Sequence, residues 1–426
     1  MTNKKISLPR GTYDLFNEDM QLRKDVVSTL MDLAETFGFY EIQTPVFEST
    51  DLFVRAVGEQ TDVISKEIYT FEDKKGRSLS LRPEITAPVV RSFIENKMHI
   101  NPMTKLSYYG PSFRYERPQA GRFRQFNQFG IECFAPRNPF IDVEIISLAM
   151  SIFKVFDIEE HVELKINSLG NQESRNAYIA KVKKYFAPHK EQLCEDCQKR
   201  IDSNPLRILD CKIDNEKSLF NDAPKLYDAL DSSSKKYFDQ VLLELNKLNV
   251  KYKIEDKLVR GLDYYNDTIF EIVFHDKKAQ NAILGGGRYD SLVEGLGGEA
   301  TNAFGFALGI ERFINLLVDK VVDKEDYKIT TDIYIMPLCE SALSKSFEFG
   351  LALRQEGLKC SVPYEIKTIK NYFKNAERLN AVIAIIIGDE EMVSGKAKLK
   401  NLITGEQSEV QFEEVIVEIL KGSNHE

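Results

Sequence analysis

GPSFRYERPQAGRFRQFNQFGIE, residues 110–132, decides how the rest of the chain reads. Period-two alternation on both sides of Pro118-Gln119-Ala120-Gly121 predicts two antiparallel strands joined by a loop. Arg114 and Glu116 share a face of the first strand. On the returning strand Arg122, Arg124, Gln128 and Glu132 share one face, with Phe123, Phe129 and Ile131 on the other. A polar strand face is most often the solvated side of a sheet. Here arginine and glutamate recur in further strand-patterned segments: Leu81-Arg82-Pro83-Glu84-Ile85-Thr86, Leu258-Val259-Arg260-Gly261-Leu262-Asp263-Tyr264-Tyr265 and Gly309-Ile310-Glu311-Arg312. Buried charges are costly unless paired or liganded. Arg114, Arg260 and Arg312 on one sheet would suit a triphosphate, because guanidinium pairs bidentately with phosphate oxygens.

Outward from this pair, Lys66–Phe71, Ser78–Leu81 and Phe39–Phe47 also read as strands. Leu22, Val26, Leu30 and Leu33 mark an amphipathic helix over 18–36, and a second core helix follows over 141–156. From about 170 to 250 the sequence turns charged and mostly helical, an insertion between two halves of one domain. Sheet signals return at Lys257–Phe274 and Ala282–Leu284. A charged link at 320–330 leads to a final unit of alternating strands (Ile333–Leu338, Ala381–Ile387, Lys396–Leu402) and helices (341–356 and about 367–378). The expected organisation is an α+β domain with a central antiparallel sheet over 1–325, carrying the helical insertion, then an α/β domain over 326–426.

The chain has 426 residues, 43% hydrophobic and 29% charged, which is ordinary for a globular protein. Its longest apolar run, Ala381–Ile387, is too short to span a bilayer, and the N-terminus lacks a signal-like apolar region. Six cysteines in such a chain predict reduced thiols and a cytoplasmic home. The net charge of −9 argues against indiscriminate polyanion binding but leaves local patches open. Gly388–Lys396 fails as a phosphate loop, since its spacing is wrong and three acids would repel phosphate. The five scattered histidines give no nucleophile–base pair. His189, Cys194, Cys197 and Cys211 raise the question of zinc, but their spacing matches no common finger, so no metal is expected there.

These segments resemble the class II aminoacyl-tRNA synthetase motifs, and specifically those of the bacterial-type histidyl-tRNA synthetase family. GFYEIQTPVFE (residues 38–48) resembles motif 1, residues 113–132 motif 2, and GFALGIER (305–312) motif 3. LVRGLDYYNDTIFE (258–271) and LGGGRYDSLVEGLGG (284–298) resemble the two histidine-specific motifs, of which RGLDYY is very specific. The insertion and the C-terminal unit also resemble their counterparts, so the likeness covers nearly the whole chain.

The resemblance implies a histidine–tRNA ligase. Histidine is activated with ATP, assisted by Mg²⁺, and transferred to the 3′ end of tRNA(His) by a homodimer paired through motif 1. It implies that Arg114 and Arg260 flank the α-phosphate as catalytic residues, Arg114 also meeting the histidine carboxylate, and that Glu116 and Arg312 bind ATP. Glu84, Thr86 and Gln128 are implied around the amino and carboxylate groups. Glu132 and Tyr265 are implied at the imidazole, with Tyr264 and Tyr289 nearby. Ile85 departs from the glycine common in bacterial relatives, so its side chain must point away from the amino acid. Arg117 and Gln119 match loop positions that read the tRNA acceptor end. Lys367, Lys370, Lys374 and Arg378 share one helical face that the resemblance directs to tRNA. Lys396, Lys398 and Lys400 alternate on a strand. The alternative is the synthetase-like regulatory subunit of ATP phosphoribosyltransferase, which typically lacks the second-motif arginine and the C-terminal domain. Both are present here.

Overall fold

The computed structural model describes residues 5–59, 61–117, 121–211, 213–214, 217–275 and 282–423. It divides into two compact units, the first holding Arg23–Val322 and the second Asp323–Glu426.

The first unit is built on an eight-stranded sheet. Its spatial order is Tyr40–Glu41, Thr104–Phe113, Gln125–Phe134, Ala303–Gly309, Ala282–Arg288, Asn266–Phe274, Val162–Ser168 and Lys253–Ile254. The six inner strands pair antiparallel, and the two short edge strands run parallel to their neighbours. On one face Phe129 and Ile131 are fully buried. The helices Pro139–Val155 and Ile310–Lys320 lie against the sheet, with Phe153 and Phe313 edge to face at 5.7 Å. Asn138 starts the first of these helices, its side chain accepting from the Phe140 N–H at 2.9 Å ahead of a proline in the first turn.

Three readings from periodicity are corrected. Leu258–Tyr265 is an irregular loop, and the strand begins at Asn266. Leu81 ends a strand, after which Pro83 breaks the ladder and Thr86 opens the helix Thr86–Glu95. Arg312 lies on a helix. The three arginines therefore reach the site from a strand end, a loop and a helix, not from one sheet.

The insertion carries the helices Gln172–Phe186, Glu195–Ser203 and Ser232–Lys247 with short 3₁₀ turns between them. Asn171 and Asp231 cap the first and last. His189, considered with the cysteines from sequence, does not join them. It sits beside Gln192 and Tyr185, while Asp214 takes the fourth place near Cys194, Cys197 and Cys211.

The second unit has a five-stranded mixed sheet around the buried strands Thr331–Pro337 and Ala381–Ile387. Its helix Ile369–Arg378 is capped by Thr368, so Lys367 precedes the helix instead of sharing its face. Among the described residues no helix is long and apolar enough to cross a membrane.

Candidate active site

The even-numbered face of Gln125–Phe134 forms a floor on which Gln128 and Glu132 lie among glycines of the same and neighbouring strands. Gln128 pairs across to Gly110 and Gly309, Gly130 to Tyr108 and Ala307, and Glu132 to Leu106 and Gly305. The rows continue to Gly285 and Gly287 on the next strand, and from Gly285 to Glu271. A Cβ on Gly130 would overlap the Tyr108 hydroxyl, and one on Gly305 would overlap Glu132 Oε2 and the Ile131 carbonyl. Glycine is the residue that lets polar side chains lie across their neighbours here.

Glu132 is 1% exposed. Thr86 Oγ1 donates to its Oε1 at 2.6 Å and the Tyr108 hydroxyl at 3.1 Å, while the Tyr289 hydroxyl donates to Oε2. Burial pushes its carboxyl up to about 8, against the lowering effect of these hydroxyl donors. The Tyr264 ring lies 5.6 Å from Tyr289 and 4.6 Å from Tyr265, closing the pocket with aromatic surface. Of the tyrosines singled out from sequence, Tyr289 hydrogen-bonds Glu132 directly. Tyr108 and Glu271 were not singled out from sequence. Glu271 ends the quoted 258–271 motif, and Tyr108 becomes visible only once strand register places it opposite Gly130.

Glu84 caps the Thr86–Glu95 helix, its carboxylate accepting from the Thr86 and Ala87 N–H groups at 2.7 and 2.9 Å. Two accepted bonds leave carboxylate lone pairs for a ligand ammonium. Burial raises its pKa, opposed by these bonds and by Arg114. Ile85 is buried with φ −110° and packs into the core, so its branched side chain fits an ordinary backbone.

Further along the floor Ser112 Oγ donates to Gln128 Oε1 at 2.8 Å. Arg114 Nε donates to the Pro83 carbonyl at 2.9 Å, and its guanidinium lies 5.4 Å from the Phe126 ring. Arg312 donates to the carbonyls of Ala282 at 2.7 Å and Gly121 at 3.3 Å. Among the described residues neither arginine has a carboxylate ion-pair partner. Burial lowers the Arg312 pKa, and the charges of Arg122 and Arg114 lower it further. Such a concentration of positive charge is suited to a polyanion. Glu116 is tied to Arg122 at 2.7 Å. Arg260 reaches over Gly285 to pair with Glu271, its guanidinium 5.6 Å from the Tyr265 ring.

The structure thus gathers Glu84, Thr86, Arg114, Glu116, Gln128, Glu132, Arg260, Tyr264, Tyr265, Tyr289 and Arg312 in the first unit. Arg117 is exposed at the end of the Arg114–Arg117 segment, and Gln119 lies outside the described residues. Lys370 and Lys374 are exposed on the second unit's helix, and Lys367 pairs with Glu365 at 3.4 Å. Gly305→Ala is expected to lower unfolding free energy by about 1–3 kcal/mol through overpacking. Urea unfolding of the purified variant measures it, and an unchanged midpoint would show that the sheet yields there.

Comparison with known proteins finds that residues 11–313 match the family model described as histidyl-tRNA synthetase, and residues 332–422 that of an anticodon binding domain. The chain is 46% identical over 422 residues to a protein of Bacillus velezensis named histidine–tRNA ligase, covering 97% of this chain and 98% of that one. It is also 46% identical to the histidine–tRNA ligase of Bacillus subtilis, covering 96% and 97%. Its fold is similar to the apo crystal structure of S. aureus histidyl-tRNA synthetase, with TM-score 0.80 and 37% identity over 97% of this chain and 100% of that one.

Proposed function

Because the chain belongs to the histidyl-tRNA synthetase family, we propose that the Glu132 pocket receives histidine and that the arginines beyond it receive ATP. The activity is that of an ATP-dependent histidine–tRNA ligase. The regulatory-subunit alternative is not favoured, since the relatives that match along nearly the whole length bear the ligase name.

The observation that carries the site assignment is a buried carboxylate ringed by hydroxyls on the same strand as Gln128, with Arg114 and Arg312 beyond it, neither of which has a carboxylate ion-pair partner among the described residues. A neutral imidazole offers one N–H donor and one acceptor nitrogen. Glu132 accepts from the donor, and the Tyr265 hydroxyl donates to the other nitrogen, with Tyr264 and Tyr289 framing the ring. Glu84 and Thr86 take the ammonium side, and Gln128 the carboxylate side.

In the first step a histidine carboxylate oxygen attacks the α-phosphorus of ATP. The bond to the β-phosphate oxygen breaks, and pyrophosphate leaves with the electron pair. Arg114 and Arg260 stabilise the charge of the α-phosphoryl group, and Arg312 holds the far phosphates. In the second step a terminal ribose hydroxyl of tRNA attacks the histidyl carbonyl carbon, the bond to the phosphate oxygen breaks, and AMP departs with the electron pair while its phosphate takes up the hydroxyl proton. Preorganised cations and alignment suffice, and no side-chain nucleophile is required.

Mg²⁺ is proposed with ATP. Glu67 and Glu116 are near enough that the charge of Glu116 adds to burial in raising the Glu67 carboxyl pKa, and a bound cation would offset that repulsion with the carboxylate oxygen donors that Mg²⁺ prefers. When bound, the ion neutralises phosphate charge. Arg117 and Gln119 are proposed to read the acceptor end of tRNA, and Lys367, Lys370 and Lys374 to contact tRNA in the second unit. A homodimer through residues 38–48 is supported by the exposed Tyr40, Val46 and Phe47. Six unbridged cysteines support a cytoplasmic site of action.

The test is ATP–pyrophosphate exchange by the purified chain with each amino acid in turn. Exchange is expected with histidine and to be lower by a factor of ~10⁴ with the others. Exchange driven equally well by another amino acid would overturn the pocket assignment.

A further inference from the structure

Outside the site just described, the insertion brings Cys194, Cys197, Cys211 and Asp214 together, with one ligand atom from each all within 4.8 Å of one another. In sequence they form two short knuckles, Cys194-x-x-Cys197 and Cys211-x-x-Asp214, separated by residues 198–210. That is the paired-knuckle pattern of a four-ligand zinc site with a carboxylate in the last position. We propose that these four side chains bind one zinc ion, as a structural centre of the insertion.

The geometry fits the ion. Two sulfurs each about 2.3 Å from a tetrahedral zinc lie about 3.8 Å apart, and Cys194 Sγ and Cys211 Sγ are 3.7 Å apart. Cys197, Cys211 and Asp214 are buried and Cys194 is half-buried, so water has little access to the centre. Leu193, Ile201 and Ile208 belong to the same apolar core as the buried cysteines. Asp214 is oriented from outside, as metal-bound carboxylates commonly are. The Cys194 backbone N–H donates to its Oδ2 at 2.8 Å, and Lys217 Nζ lies 2.6 Å from its Oδ1. Three thiolates, one carboxylate and Zn²⁺ carry a net charge of −2. Lys217, and Arg200 within electrostatic reach of Cys197 and Cys211, offset it.

A centre here has a definite structural task. The segment between the knuckles holds Asn204, whose side-chain amide donates to Asp263 Oδ1 at 3.2 Å, and Arg207, whose guanidinium covers Gly261. Both residues brace the loop that carries Arg260, Tyr264 and Tyr265. Four ligands in one ion would fix both ends of the bracing segment.

The experiment uses the full chain, purified with a thiol reductant, and the metals Zn²⁺ and Co²⁺ themselves. Wild type and the control Cys339→Ser are expected to retain about one zinc per chain after dialysis. Cys197→Ser is expected to lose at least roughly tenfold in affinity. Co²⁺ in the wild-type protein is expected to give the visible bands of a four-coordinate ion and a near-ultraviolet thiolate charge-transfer band. The Co²⁺ spectrum decides the matter even if the serine variant fails to fold. Wild-type protein that stays metal-free in excess zinc, a six-coordinate Co²⁺ spectrum, or zinc retained undiminished in a folded Cys197→Ser would each overturn the proposal.

Discussion

Replacing Arg260 by alanine is expected to reduce histidine-dependent ATP–pyrophosphate exchange by about 10²–10³-fold, the usual consequence of removing one preorganised donor to developing charge. Arg260 is held for that task. Its guanidinium lies over Gly285, where a side chain would overlap it, and pairs with Glu271 on the neighbouring strand. The pair keeps it charged, as the charge of Glu271 raises its pKa against the effect of burial. The loss should fall on kcat more than on the KM for histidine, because the interaction strengthens as charge develops at the α-phosphate. Alanine also leaves Glu271 buried without its partner, which is destabilising in itself. An unfolding curve must therefore accompany the rates, together with Arg260→Lys, which keeps the charge but not the planar fork. Exchange within about tenfold of the parent in a folded Arg260→Ala protein would reduce Arg260 to a structural partner of Glu271.

Glu132→Gln is expected to lower kcat/KM for histidine by ~10³-fold or more while leaving the KM for ATP nearly unchanged, since a site built around a buried polar pairing loses most when one member is changed. The amide keeps the volume beneath Gly305 but replaces one acceptor oxygen with a donor, facing either Thr86 and Tyr108 or Tyr289. A pH signature accompanies it. With the Glu132 carboxyl raised to about 8 by burial, the free pocket holds the proton below that pH. Binding a neutral imidazole through the carboxylate must release it. Wild-type affinity for histidine should therefore weaken as pH falls below about 8, approaching one order of magnitude per pH unit until the imidazole itself protonates. The same carboxyl contributes stability to the ligand-free protein that is fully present below the unfolded carboxyl pKa and is lost as pH rises through about 8. Titration calorimetry in buffers of different ionisation enthalpy measures the proton release. A pH-independent affinity, or a glutamine variant with unchanged kcat/KM, would remove Glu132 from histidine binding.

Much of this site was legible because period-two alternation in residues 104–134 placed Gln128 and Glu132 correctly on one pair of strands, with Arg114 just past the end of the first. The likeness of RGLDYY to a specific motif located the loop of Arg260. What was hidden needed three dimensions. Leu258–Tyr265 alternates like a strand but runs as a loop braced from the insertion by Asn204 and Arg207. Tyr108 and Glu271 gain meaning only from register, because each lies next to a glycine on an adjacent strand. Asp214 went unnoticed because only histidine and cysteine were considered as ligands, and its pairing with Cys211 gains meaning once the fold sets it against three cysteines. Lys367 fell off its helix because Thr368 is the better cap.

The strand order of the large sheet also has a consequence for how the protein comes into being. Gln125–Phe134, which carries Glu132, is hydrogen-bonded on one side to Thr104–Phe113, made just before it. On the other side lies Ala303–Gly309, made near the end of the unit. Val162–Ser168 likewise waits for Asn266–Phe274 across the whole insertion. At about 5–20 residues per second of synthesis, the strand bearing Glu132 leaves the ribosome on the order of ten seconds before its second neighbour exists. For that interval the nascent chain exposes an unsatisfied strand edge of the kind that recruits other chains. The same nonlocal pairing that sets substrate groups side by side thus leaves the newborn chain with an open strand edge until Ala303–Gly309 arrives to close it.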